Sequence, residues 1–286
     1  MKLSIIIPVF NEARTVRTLL ERVWNQVLPG VEKELVIIES NSTDGSREIV
    51  SAFAEHRACT GRVRLILQEQ ARGKGAAIRA GLAAASGEVL LIQDADLEYE
   101  VSDYPDLLQP ILEGRAAFVL GSRHLGASRW KIRQFARRGL QSALMNVGDL
   151  FFRIFFNTLY AVRLTDPTTM YKVFRAECLE GLRFRCERFD FDFELLGQLL
   201  RAGYRPLEIP VSYRSRGFDE GKKIRVLRDP PTWIAAIVRT RCARIARRAP
   251  QQWLTLAPAA RSLEVPQPWR ASNDVAAIPQ TEKPAA

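Results

Sequence analysis

Val89-Leu90-Leu91-Ile92-Gln93-Asp94-Ala95-Asp96 is the stretch on which the fold turns. Four consecutive apolar residues read as a strand buried on both faces, and the run hands over directly to two carboxylates. Open α/β sheets bind their ligands at the carboxyl ends of strands. Because a strand places residues i and i+2 on one face, Asp94 and Asp96 can converge on a single hard cation. Glu98 continues the same phase if the chain stays extended. All-oxygen ligation favours Mg²⁺ or Mn²⁺. D-x-D triplets also occur in solvated turns, so the surroundings of this one must decide its meaning.

Upstream and downstream, apolar runs alternate with helical periodicity. Strands are expected at 3–9, 34–39, 63–68, 88–93 and 116–121, and helices at 12–26, 44–56, 74–85 and 104–113. Such alternation implies βαβ units and a mostly parallel sheet, an α/β fold. Asn11 is placed to cap the first helix and Ser42 or Thr43 the second. Residues 126–160 read as helical with a basic start (Arg129, Lys131, Arg133, Arg137, Arg138), followed by a helix at 190–202, a strand at 205–213 and a basic helix at 229–248. From 249 to 286 the chain is rich in Ala, Pro and Gln without periodicity, the composition of a disordered tail.

Three polar clusters fall at predicted strand ends: Pro8-Val9-Phe10-Asn11-Glu12, Glu39-Ser40-Asn41-Ser42-Thr43-Asp44-Gly45, and the Asp94-Ala95-Asp96 triplet. In a parallel sheet these ends adjoin and form a crevice, with carboxylates for ribose and base on one side and a cation for phosphates on the other. Glu12, Glu39 and Asp44 could equally serve as first-turn or capping acids. Gly73-Lys74-Gly75 opens an alanine-rich helix, where close backbone approach, the helix N-terminus and the Lys74 charge all suit an anion. It is not a Walker A loop, since the upstream Gly and the following Ser/Thr are missing.

In order, P-x-x-N-E, S-T-D-G, G-K-G, D-A-D-L and G-S-R occur at Pro8 to Glu12, Ser42 to Gly45, Gly73 to Gly75, Asp94 to Leu97, and Gly121 to Arg123. With these motifs the chain resembles the family 2 glycosyltransferases of the GT-A fold, in particular the dolichol-phosphate and polyprenyl-phosphate sugar transferases. The likeness covers residues 1–225, leaving 226–248 as a basic amphipathic helix and 249–286 as the tail. It implies that Asp94, Asp96 and Glu98 hold a divalent cation, Mg or Mn, on a nucleotide-diphosphate sugar. Pro8, Asn11, Glu12, Glu39, Asp44 and Lys74 would line the donor pocket. Ser40 departs from the family's usual second Asp, which bears on the choice of base.

The resemblance also implies an acceptor site. Arg123 follows a strand end, Arg137 and Arg138 stand at the spacing of another phosphate-binding Arg, and Arg216 to Lys222 is similar to an R-x-x-G-x-S-K stretch that meets phosphate, with Gly221 replacing the Ser. Asp166-Pro167-Thr168-Thr169 and Phe189-Asp190-Phe191-Asp192-Phe193-Glu194 complete the set. Glu194 is the expected acid of the cleft, with Asp192 competing. Asp94, Asp96, Arg123, Glu194 and Arg216 are therefore the expected catalytic residues, and the expected reaction is inverting hexosyl transfer to a polyprenyl phosphate. Transfer to a saccharide hydroxyl is the alternative.

Bulk properties bound these readings. With 286 residues and 47% hydrophobic content the chain can bury a substantial core, and its formal charge of +10 calls for anionic partners. A basic nucleic-acid-binding module would explain the charge but not the acidic strand ends, and no nucleic-acid motif is legible; the expectation is no nucleic acid. Ser142 to Val162 is interrupted by Asn146, Asp149, Arg153 and Asn157, short of the roughly 20 uninterrupted apolar residues of a spanning helix. An amphipathic helix there, and the basic one at 229–248, suit an anionic membrane surface. No secretion signal is legible at the start, and the four cysteines lack metal-binding spacing. The expected location is cytoplasmic, peripheral on the inner face of the cytoplasmic membrane.

Overall fold

The structure is a computed structural model that describes residues 1–125, 139–216 and 228–250. Seven strands form one sheet: β1 (Lys2–Val9), β2 (Glu32–Glu39), β3 (Val63–Leu67), β4 (Val89–Ile92), β5 (Phe118–Ser122), β6 (Lys172–Arg175) and β7 (Leu207–Pro210), in the order β3-β2-β1-β4-β6-β5-β7. β1 lies between two parallel partners, with Ile5 opposite Leu35 of β2 and Leu91 of β4. Its Leu3, Ile5, Ile6, Ile7 and Val9 are all inaccessible to solvent, as an apolar run covered on both faces requires.

β6 alone runs against its neighbours, pairing antiparallel with β4 (Leu90 opposite Phe174) and with β5 (Val119 opposite Val173). No strand was expected there, because Met170-Tyr171-Lys172-Val173-Phe174 is short and holds a lysine. The expected strand at 205–213 is shorter, Leu207–Pro210, and pairs parallel with β5.

The helices are α1 (Val16–Asn25), α2 (Ser46–Glu55), α3 (Lys74–Ala84), α4 (Tyr104–Leu112), α5 (Gly139–Tyr160), α6 (Phe191–Ala202) and α7 (Asp229–Cys242). The first two begin later than their apolar periodicity suggests, and the expected caps do other work. Thr15 and Gly45 occupy the N-cap positions. Asn11 instead accepts from the Thr43 N–H through Oδ1, while its own N–H donates to Ser42 Oγ, so the loops after β1 and β2 are laced together. α7 ends at Cys242, short of 248, and buries Ala236, Ile237 and Thr240. It packs beside α5, where Tyr160 Oη donates to Ile237 O and Arg241 Nε to Leu159 O. It belongs to the main body.

All loops at the carboxyl edge of β1, β2 and β4 contain a non-glycine residue in the left-handed region: Asn11, Asn41 and Leu97. Asn tolerates that conformation, whereas for Leu it costs about 1–2 kcal/mol. The strain at Leu97 falls inside the D-A-D-L motif, where it turns the chain immediately after Asp96.

Candidate active site

A cavity of about 930 Å³ opens at this edge, lined by residues from the β1, β4 and β5 ends and from α3, α5, α6 and α7. Its acidic end is made by Glu12, Asp94, Asp96 and Glu98. The chain does not stay extended past Asp94. Asp96 Oδ1 accepts the Glu98 N–H at 3.1 Å, closing a tight turn that Leu97 makes possible. Burial raises the Asp94 pKa, Lys74 pulls it down, and Asp192 and Glu98 push it up again, leaving it above the usual carboxylate range. Asp96 is pushed up to about 7 by burial and by Asp94 and Glu98, against the pull of Arg216. These carboxylates are short of positive charge, the condition a divalent cation relieves, and their oxygen-only donors fit Mg²⁺ or Mn²⁺. The ligand oxygens of Asp94, Asp96 and Glu98 are not all within 4.8 Å of one another, so one ion engaging all three requires their side chains to turn inward.

Among the described residues, the three side chains that do come that close are His124, Asp149 and Asp166. Positive charge is already in place there. Arg123 donates from Nε and Nη2 to the two oxygens of Asp166, each at 2.7 Å, and lies 3.5 Å from Asp149. This cluster is therefore a guanidinium site rather than a metal centre. Burial works against the Arg123 charge, but Asp166, Tyr99 and Asp149 more than restore it.

Lys74, expected near the donor, lines the cavity between Asp94 and Asp192. Nζ donates to Asp94 Oδ2 at 3.0 Å and to Asp192 Oδ2 at 3.4 Å. Burial alone would lower its pKa; Asp192 and Asp94 outweigh that and keep it charged. The start of α3 is fixed by a close approach: a Cβ on Gly75 would lie 2.6 Å from Phe191 Cβ and 2.7 Å from Cys186 O. The glycines of G-K-G thus press Lys74 against α6, the helix that carries Asp192. Asp192 is also held by Lys172, at 3.2 Å. Burial raises its pKa, but Lys172 and Lys74 together bring it below the ordinary value.

Part of the cavity wall is aromatic. Phe152 of α5, Phe193 of α6 and Trp233 of α7 meet with ring centroids 5.1–5.8 Å apart. One cleft therefore offers a cation-seeking acidic pocket, a buried cationic centre and an apolar wall.

The family model for glycosyl transferase family 2 matches residues 4–178, which is β1 through β6 and every motif of the acidic pocket. The chain belongs to that family. Among curated relatives, this glycosyltransferase is 27% identical over 225 residues to a dolichol-phosphate mannosyltransferase of Pyrococcus furiosus, covering 78% of this chain and 59% of that one. It is 28% identical over 223 residues to a dolichyl-phosphate beta-glucosyltransferase of Dictyostelium discoideum, covering 74% and 66%. It thus spans less than two thirds of either relative's length. Among solved structures, glucosyl-3-phosphoglycerate synthase of Mycobacterium tuberculosis in complex with UDP matches with a TM-score of 0.59 at 21% identity, over 84% of this chain and 80% of that one. The same synthase has been solved with Mn²⁺, UDP and glucosyl-3-phosphoglycerate. The structural likeness shows the GT-A fold.

The glycosyltransferase does not bring every expected residue to the cleft. Pro8, Glu12, Lys74, Asp94, Asp96, Glu98, Arg123 and Arg216 line it. Asn11, Glu39 and Asp44 stand behind it: Glu39 accepts from the Ser42 N–H and pairs with Arg47, and Asp44 accepts from the Ala13 and Ser46 N–H groups. They shape the loops that the lining residues stand on. Glu194 is a correction. Its Oε2 accepts from the Arg185 and Cys186 N–H groups at 2.9 and 2.8 Å, and Asp192 is the acid of this segment that faces the cavity. Arg137, Arg138 and Lys222 lie outside the described residues. Lys172 and the Trp233 wall were not legible as site residues. Lys172 sits inside an unassigned strand, and Trp233 reads as an ordinary member of an amphipathic helix.

Proposed function

We propose that this glycosyltransferase moves a hexose from a nucleotide-diphosphate sugar to a polyprenyl phosphate, by direct displacement with inversion at the anomeric carbon. The observation that carries the choice of acceptor is the clamp on Asp192. A general base works best with a pKa near the working pH, yet Asp192, the acid that the segment 189–194 presents to the cavity, is held down by two lysines. A phosphate acceptor is already ionised and needs orientation, not deprotonation. Arg123 and Arg216 line the same cavity and supply charge for it, and Arg137, Arg138 and Lys222 are assigned to that role by their place in the sequence. The dolichol-phosphate relatives support the same acceptor class.

At the donor end, Asp94 and Asp96, with Glu98, would hold Mg²⁺ or Mn²⁺; when bound, the ion neutralises charge that builds on the departing diphosphate. Lys74, fixed beside Asp94, stabilises the same charge from the protein side. Pro8 and Glu12 border the nucleotide pocket, while Asn11, Glu39 and Asp44 keep its loops in place.

The membrane surface enters through α5 and α7. Val147, Phe151 and Ile154 are spaced to share one face of α5, and each is at least half exposed; Ile234 and Val238 are exposed on α7. With the +10 charge, this apolar ledge beside the aromatic part of the cavity wall suits a peripheral position on an anionic leaflet, taken as the inner face of the cytoplasmic membrane. No helix among the described residues is long and apolar enough to cross a membrane.

The test is product analysis with a panel of radiolabelled nucleotide sugars against polyprenyl phosphate, dephosphorylated polyprenol and simple saccharides. Transfer to the phosphate alone is expected. Transfer to saccharides and not to polyprenyl phosphate would overturn the reading in favour of hydroxyl acceptors, with Asp192 as base.

A further inference from the structure

Arg216 stands on the carboxylates assigned to the cation. Its Nη1 and Nη2 donate to the two oxygens of Glu12, each at 2.8 Å, and Nη2 lies 3.2 Å from Asp96 Oδ2. Nε lies 3.9 Å from Glu98 Oε1, and the Arg216 backbone N–H donates to the same oxygen at 2.9 Å. Glu98 is engaged further by the segment leading to Arg216. Tyr213 Oη donates to Glu98 Oε2 at 2.9 Å, and the Arg214 N–H donates to the Glu98 backbone carbonyl at 2.8 Å. The segment 213–216 is thus docked on the turn that presents Asp96 and Glu98.

We propose that Arg216 is the internal counter-ion of the cation site: it competes with the divalent ion for Asp96 and Glu98, and its displacement delivers the guanidinium to the acceptor phosphate. The inference rests on the functional reading above and adds an order of events to it. A divalent ion bonds a carboxylate oxygen at about 2.1 Å. With the guanidinium 3.2 Å from Asp96 Oδ2, two positive groups would share one oxygen in a mostly buried setting, where like charges repel far more than in water. Ion and guanidinium therefore compete for Asp96 Oδ2. Arg216 is also one of the residues assigned to the acceptor, and it cannot turn its paired Nη1/Nη2 face to a phosphate while that face is bound to Glu12. Cation and donor must load first, and acceptor affinity rises as a result. By linkage, the acceptor must tighten the cation by the same factor.

The experiment measures Mn²⁺ binding to the full chain by titration calorimetry and by loss of the free-ion paramagnetic signal, in wild type, Arg216→Met, Arg216→Lys and Asp96→Asn. Circular dichroism and urea unfolding check that each is folded, and Arg216→Lys serves if Arg216→Met does not fold. Removing the competing charge is expected to tighten Mn²⁺ on the order of tenfold or more; Arg216→Lys, which keeps the charge but not the two-pronged contact with Glu12, should fall between. In wild type, saturating Mn²⁺ should tighten a short-chain prenyl phosphate, and Arg216→Met should abolish that coupling. Equal or weaker Mn²⁺ affinity in both Arg216 variants overturns the competition while leaving the cation site in place. Unchanged Mn²⁺ binding in Asp96→Asn removes the cation assignment itself, and the competition with it.

Discussion

Arg123 and Asp166 form a two-pronged ion pair inside the protein, with the Arg123 backbone N–H adding a third bond to Asp166 Oδ2 at 3.0 Å. Arg123 leaves β5 and Asp166 belongs to the loop before β6, so the pair ties two strands together at the cavity wall. Nη2 also donates to Thr168 Oγ1. The arrangement holds a guanidinium already oriented for a ligand, which need not spend binding energy ordering it.

Breaking this pair should be costly. Asp166→Ala leaves a buried guanidinium with only Asp149, 3.5 Å away, to offset it, and a loss toward the lower end of about 3–5 kcal/mol is expected, read from urea unfolding. A loss below about 1 kcal/mol would show that solvent reaches Arg123. The pH dependence has a definite sign. Burial raises the Asp166 pKa, but Arg123 outweighs it and the folded value is depressed. Its stabilisation is therefore complete above the unfolded value of about 3.9 and is lost as pH falls through the lower folded one. Wild type should lose stability more steeply than Asp166→Ala below about pH 4.

Asp94→Ala and Asp96→Ala should each nearly abolish sugar transfer while leaving cooperative unfolding intact. Both carboxylates lie in a cluster of like charge, so their removal relieves repulsion as well as removing the proposed cation ligands. Chelation of wild type with EDTA should reproduce the loss, and Mn²⁺ or Mg²⁺ should restore it. Full transfer by Asp96→Ala in EDTA would sink the assignment.

Asp192 and Glu194 should separate cleanly. Glu194→Gln weakens an acceptor for two backbone N–H groups and should cost about 1–2 kcal/mol in stability, with kcat/KM little changed. Asp192→Asn should cost a phosphate acceptor less than about tenfold, but a hydroxyl acceptor about 10² to 10⁴. Steady-state kinetics on both acceptor classes decide the matter; a large kcat loss with polyprenyl phosphate would make Asp192 a working base after all.

The ledge on α5 offers a test of membrane association. Val147→Ser, Phe151→Ser and Ile154→Ser together should weaken flotation with anionic vesicles severalfold, while each changes stability by no more than about 0.5 kcal/mol, because the side chains are exposed. Wild-type binding should fall as salt rises. Deleting α7 would be a poor substitute, since it closes the cavity with Trp233 and Pro230. Equal flotation of the triple variant and wild type would mean that this face meets something other than lipid.

Much of the acidic side of the cavity was legible because parallel strands deliver polar residues immediately after an apolar run. Pro8, Glu12, Asp94, Asp96 and Glu98 follow that rule into the cavity wall, whereas Asn11, Glu39 and Asp44 follow it and stand behind the wall. The wall formed around β6 breaks the rule. β6 is antiparallel, so residues preceding it, Thr168 and Met170, reach the cleft from the start of a strand. A search for polar residues just behind apolar runs passes them by. Glu194 and Asp192 differ only in which face of the first turn of α6 they occupy, and the packing of the loop at Arg185 and Cys186 decides that. The caps failed for a related reason: Asn11 and Ser42 had local work available, but the nearer partner was the other loop.

The single reversed strand also governs how the molecule can be made. β1 to β4 are complete once Ile92 has emerged, yet β4 pairs on its other side with β6, which begins only at Lys172. At roughly 5–20 residues per second, synthesis from Gln93 to Tyr171 takes on the order of 4–16 seconds. Throughout that interval the nascent β1–β4 unit carries an uncovered apolar edge, Val89 to Ile92, of the kind that recruits foreign strands. Two ribosome-bound chains meeting there can pair with each other before β6 arrives, so slower initiation, which spaces nascent chains apart, should raise the soluble yield more than lower temperature alone.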